Sequence, residues 1–302
     1  RIYSQHKISQ QQTLQKHRII NMQLLQKNRC FEGEQRIYQL ESQHLNGLTR
    51  VGVYLPPAAL EGKPCSALFY LAGLTCTEDT FAIKAHAQRM AARLSLILIS
   101  PDTSPRGEGV AQGDYWDIGQ GAGFYINAIQ QPWAEHYQME SYLVDELYAH
   151  VLQAFPIIES QIGIFGHSMG GHGALTLAFK YPEQFKSVSA FAPICAPSIC
   201  PWGEKAFSQY LGADQQQWLA HDATALVQQK GGIFEEILID QGLDDQFYAQ
   251  LNPEKFKQAC LDAGQHLTLR QHKGYDHGYY FIQSFIDDHL QFHAIQLEKV
   301  AG

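Results

Sequence analysis

A chain of 302 residues can bury one large core, and 45% hydrophobic with 17% charged residues is the composition of a globular domain, which excludes a disordered or fibrous chain. A formal net charge of −8 and the lack of any Lys/Arg cluster exclude nucleic acid and anionic membrane as partners, and no apolar run is long enough to cross a bilayer. Six scattered cysteines (Cys30, Cys65, Cys76, Cys195, Cys200, Cys260) with no Cys-x-x-Cys pair predict free thiols in a reducing compartment and no metal site.

Residues 1–21 are Gln-rich, basic and without Asp or Glu. They read as a leader or tag-like segment outside the fold, in which Gln10 to Ile20 could extend as a helix, and 22–302 is left as a single domain. The alternation from Leu48 to Leu55 predicts a strand stopped by Pro56-Pro57. Ala67 to Leu71 and Leu96 to Ile99 are continuous apolar runs of the kind found in buried parallel strands, and Glu78 to Leu94 between them is spaced as a helix. Residues 101–133, rich in glycine and aromatics, break this rhythm, and a stretch of that kind is either a functional wall or a packed surface loop. A helix follows over 139–155. Later strands are expected at Val188 to Ile194, Ile233 to Ile239 and Leu267 to Leu269. Asn252-Pro253-Glu254 is expected to open a helix that Gly264 closes, and 278–295 to form a last one.

Strand alternating with helix predicts an α/β architecture with a mostly parallel central sheet and helices on both faces. At its centre, Ile162 to Phe165 runs into Gly166-His167-Ser168-Met169-Gly170 and then into small residues that let a helix pack closely. This is the strand, turn and helix of the nucleophile elbow of α/β-hydrolases. A serine needs an imidazole to take its proton, and that imidazole needs a carboxylate, in the order serine, acid, histidine along such a chain. Past the expected strand ending at Ile239 stand Asp240, Asp244 and Asp245. Asp240 is too close to the strand to swing, and the pattern does not separate the other two. His277, bracketed by Gly274 and Gly278, is the candidate base. His266 and His272 lie at or within a strand, His289 and His293 fall on a helix flank where a solvated ring is usual, and His167 and His172 are expected to pack locally. The oxyanion needs two N–H donors, for which Met169 and Leu74 are the candidates. Trp116 and Trp202 are candidate walls for a small acyl pocket.

With these residues in hand, the chain resembles the S-formylglutathione hydrolase (esterase D) family from about Cys30 to His293. The resemblance is carried by Tyr54 to Pro57, Gly73 to Thr77, Gly119 to Tyr125, Ile164 to Leu175, Ser187 to Ile194, Cys200 to Gly203, Tyr210 to Gly212 and Gly274 to Phe281. It implies an α/β-hydrolase fold and a cytoplasmic, dimeric thioesterase without cofactor, acting on S-formylglutathione, with a broad carboxylesterase as the alternative. The family pattern of glycine, two residues, aspartate, one residue, phenylalanine falls on Asp245. It also implies that Cys76 confers thiol sensitivity without being the nucleophile. Residues 1–21 lie outside the family pattern.

Overall fold

The computed structural model describes residues 22–300. Strands β1 (Met22–Cys30), β2 (Gly33–Ser42), β3 (Gly47–Leu55), β4 (Cys65–Leu71), β5 (Leu96–Pro101), β6 (Ile157–His167), β7 (Ser187–Phe191), β8 (Ile237–Gly242) and β9 (Leu267–His272) form one sheet in the order β1-β2-β3-β5-β4-β6-β7-β8-β9. The first three strands are an antiparallel meander, β3 joins β5 antiparallel, and every pair from β5 to β9 is parallel. This is the expected architecture. The hairpin β1-β2 was not anticipated: it carries exposed positions along nearly the whole of β1, so no clean apolar alternation marks it.

The central strands are apolar throughout because helices cover both faces. Ala67 to Leu71 and Ile97 to Ile99 are buried, and Phe69 sits in register with Ile99 on one side and Ile164 on the other. Since β4 and β6 to β9 point the same way, the loops after Leu71, His167, Gly242 and His272 all emerge at one edge. A crevice at the carboxyl ends of parallel strands is where such sheets place their chemistry.

Several expectations need correction: the strand expected over Ile233 to Ile239 is Ile237–Gly242 and so contains Asp240, and the one expected over Val188 to Ile194 is Ser187–Phe191. The helix expected over 78–94 is two helices, Glu78–Lys84 and Gln88–Leu94, separated at His86, which takes φ 60°. Gln88 Nε2 donates to the carbonyl of Ala82 at 2.6 Å, occupying an acceptor that a continuous helix would have used itself. His289 and His293 are not solvated but wholly buried on the closing helix Tyr279–Val300. The His293 ring bridges Ser187 Oγ (2.6 Å) and Ser189 Oγ (2.9 Å), while His289 contacts Ser189 Oγ (2.8 Å) and Asp240 Oδ2 (3.2 Å). Helical spacing shows that two positions share a face but not that polar groups on the sheet will meet that face. Elsewhere the helix Pro253–Ala263 closes on Gly264 as expected. Asn252 precedes it at φ 52° without a side-chain cap, its amide instead donating to Gln250 O at 3.2 Å.

Five imidazoles are held in the neutral form by burial: His167, His172, His221, His289 and His293, with His172 and His221 lowered to about 3. In the unfolded chain each protonates near pH 6.5, so below that pH the unfolded state binds more protons and stability falls as acid is added. The slope is about 1.4 kcal/mol per pH unit for each ring still neutral. Glu78 and Asp102, whose carboxyls burial raises, oppose this, because on acidification the folded state binds a proton at each before the unfolded chain does. Urea unfolding is expected to show a loss of several kcal/mol between pH 6.5 and 5; an unchanged midpoint over that range would contradict burial of neutral rings.

Candidate active site

β6 ends at His167, and Ser168 follows at φ 57°, ψ −117°, before the helix Met169–Lys180 begins. A positive φ is costly for serine and persists only where its surroundings over-determine it. Here Ser168 N–H donates to Phe191 O on β7 (3.0 Å), and Ser168 O accepts from His172 N–H (3.0 Å) and Ile194 N–H (3.2 Å). The turn closes because a Cβ at Gly166 would collide with the Gly170 carbonyl, and one at Gly170 with the Leu71 carbonyl. Both glycines are therefore needed for close backbone approach.

The three aspartates separate cleanly. Asp240 is fully buried in β8, paired with Arg270 and His289. Burial alone would raise its carboxyl, but the bonds from His289 and Arg270 outweigh it and hold Asp240 below the usual range. Asp244 is exposed. Asp245 points inward: its Oδ2 accepts from His277 Nδ1 at 2.6 Å and from Gln241 Nε2 at 3.1 Å, and its Oδ1 from Phe247 N–H at 2.7 Å. The acid and histidine loops meet through Gly242, where a Cβ would strike the carbonyls of Tyr275 and Asp276. Gln241 was not singled out from sequence; a glutamine inside a strand looks like any polar residue until its partner is known.

His277, 9% exposed, packs between Phe247 (ring centroids 5.1 Å) and His167 (4.6 Å). His167 and His172 are buried beside the elbow with partners from distant parts of the chain, His167 against the His277 ring and His172 with Nε2 2.9 Å from Phe124 O. Phe247 continues into Trp202 (4.7 Å) and Trp202 into Trp116 (6.1 Å), so an aromatic wall leads from the imidazole outward to the half-exposed Trp116. On the other side, Gly73 approaches Ser168 so closely that an added Cβ would lie 3.4 Å from the serine Cβ. Among the described residues, the N–H groups of Leu74 and Met169 have no protein hydrogen-bond partner, as donors reserved for a reacting oxygen require. Burial raises the Cys76 thiol, and hydrogen bonds with Tyr279 and Thr80 offset this only in part, so it is no activated nucleophile.

The sheet, the strained serine turn and the carboxylate–imidazole pair define an α/β-hydrolase. The family model for "Putative esterase" matches residues 42–292. S-formylglutathione hydrolase of Mus musculus is 50% identical over 88% of this chain and 95% of its own, and that of Paracoccus denitrificans 49% identical over 89% and 96%. A solved S-formylglutathione hydrolase from Agrobacterium tumefaciens superposes with a TM-score of 0.89 at 47% identity, covering 91% of this chain and 100% of that one. The chain belongs to the S-formylglutathione hydrolase family.

The collision at Gly170 gives a stability test. Gly170→Ala is expected to cost more than about 4 kcal/mol, since backbone on both sides must move. Gly62→Ala, at φ 78° but facing open space, is expected to cost about 1 kcal/mol. Thermal unfolding of the two variants checks the contrast.

Proposed function

We propose that this chain is a serine thioesterase that hydrolyses S-formylglutathione to glutathione and formate, with Ser168 as nucleophile, His277 as general base, Asp245 as its partner, and Leu74 and Met169 N–H as the oxyanion donors. The observation that carries the reading is the 2.6 Å bond from His277 Nδ1–H to a buried Asp245 at the loop edge where Ser168 is held at φ 57°. Support for the substrate comes from the half-identical relatives of that name.

His277 Nε2 takes the Ser168 hydroxyl proton as Oγ bonds to the formyl carbon, and the carbonyl electron pair moves onto oxygen facing the two N–H donors. Collapse breaks the carbon–sulfur bond, and the imidazolium returns its proton to the departing sulfur. A thiol pKa of about 8.5 makes that sulfur a good leaving group, so little is asked of His277 as an acid. A water then gives a proton to His277 and its oxygen to the formyl carbon, and Ser168 leaves reprotonated with formate. Asp245 keeps Nδ1 protonated, so that Nε2 presents its lone pair.

The same groups cleave short esters, so the substrate is a matter of relative rate. Hydrolysis of S-formylglutathione is expected to exceed that of a short nitrophenyl ester in kcat/KM. Ser168→Ala should abolish both, and Asp245→Asn should lower kcat by about 10⁴. Preference for the nitrophenyl ester would keep the triad and make the protein a carboxylesterase. The family resemblance and six unpaired cysteines support a dimer in a reducing, cytoplasmic setting.

A further inference from the structure

The loop after β4, which carries Leu74, is an unusual piece of backbone. Thr75 takes φ 67°, a conformation that a β-branched residue adopts only under external constraint. The anchors on this loop come from the segment that breaks the α/β rhythm. Tyr125 Oη donates to Ala72 O (2.8 Å), and Thr75 N–H donates to Gly121 O (2.8 Å). The Cys76 carbonyl accepts twice, from Thr103 Oγ1 (2.6 Å) and from Arg106 Nη2 (2.9 Å).

Arg106 is itself held. Its Nε donates to Asp102 Oδ1 and Oδ2 at 3.0 and 2.8 Å, and Asp102, 6% exposed, also accepts from Thr103 N–H at 2.6 Å. The Nε–H therefore grips the carboxylate while the adjacent Nη2 reaches the carbonyl two residues past Leu74. The planar fork fixes the directions of both bonds at once, whereas the donors of an ammonium radiate from a single atom on a flexible stem.

We propose that Arg106, oriented by Asp102, is a positioning residue for the reaction: by holding the Cys76 carbonyl it keeps Thr75 in its left-handed conformation and the Leu74 N–H aimed at the developing oxyanion. This rests on the reading of Leu74 as an oxyanion donor. Nitrophenyl esters pass through the same tetrahedral anion, so they test it whether or not S-formylglutathione is the favoured substrate.

The experiment compares wild type, Arg106→Ala and Arg106→Lys on a short nitrophenyl ester, with active sites counted by an organophosphate and Ser168→Ala as control. Removing an oxyanion donor outright costs about 10²- to 10³-fold, so a displaced donor is expected to lower kcat per titrated site by about 10- to 100-fold, with KM within about twofold. Affinity for a tetrahedral boronate should fall by the same factor as kcat. Added guanidinium ion should restore much of the loss in Arg106→Ala, while Arg106→Lys should remain impaired. Should Arg106→Ala fail to fold, Thr103→Val removes the other donor to the same carbonyl and is expected to lower kcat and boronate affinity together. Unchanged kcat per site, or a lower kcat with unchanged boronate affinity, would overturn the proposal.

Discussion

Everything at the carboxyl edge of the sheet depends on how closely backbone approaches backbone around Ser168. The first turn of the following helix lies against the ends of β4 and β6, with no room for a Cβ at Gly166 or Gly170. That proximity forces the positive φ at Ser168, and the bonds from Ser168 to Phe191, His172 and Ile194 offset its cost. It also sets Met169 N–H and the loop after β4 side by side, so the nucleophile and both candidate oxyanion donors share one constraint.

A second constraint lies under the strands that deliver the acid. Ser187, His293, Ser189, His289, Asp240 and Arg270 form a continuous polar chain between β7, β8, β9 and the closing helix. Buried polar groups are tolerable only when nearly all are partnered, as they are here. The His289 ring stacks on Phe191 at 3.8 Å, and the Phe191 carbonyl receives the Ser168 N–H. Asp240, rejected as a triad member, thus belongs to the floor beneath the site.

The glycine-rich segment 101–133 supplies the third support. Its stretches 101–105 and 121–126 are buried wall: Thr103, Phe124 and Tyr125 are inaccessible, and Tyr125 fills the space beside Gly173 that a side chain there would occupy. It turns an otherwise free loop after β4 into a held one. Irregular chain of this kind can be as rigid as a strand when its carbonyls and N–H groups find partners within the core.

Much was legible in the sequence because the relevant signals are local. Gly166-His167-Ser168-Met169-Gly170 signals a sharp strand-to-helix turn because an apolar run precedes it and small residues follow, and glycines around His277 and before Asp245 announce loops at strand ends. The α/β class, most parallel strands and the candidate serine and histidine follow from such patterns of spacing and size. The distinction between Asp244 and Asp245 required a family resemblance, because neighbouring carboxylates look alike until one is turned inward. The burial of His289 and His293, the break at His86, the part played by Gln241 and the grip of Arg106 on the Cys76 carbonyl were decided only by the tertiary structure. Each depends on a partner far away in the chain, and sequence spacing encodes which face a residue occupies but not what the fold brings to meet it.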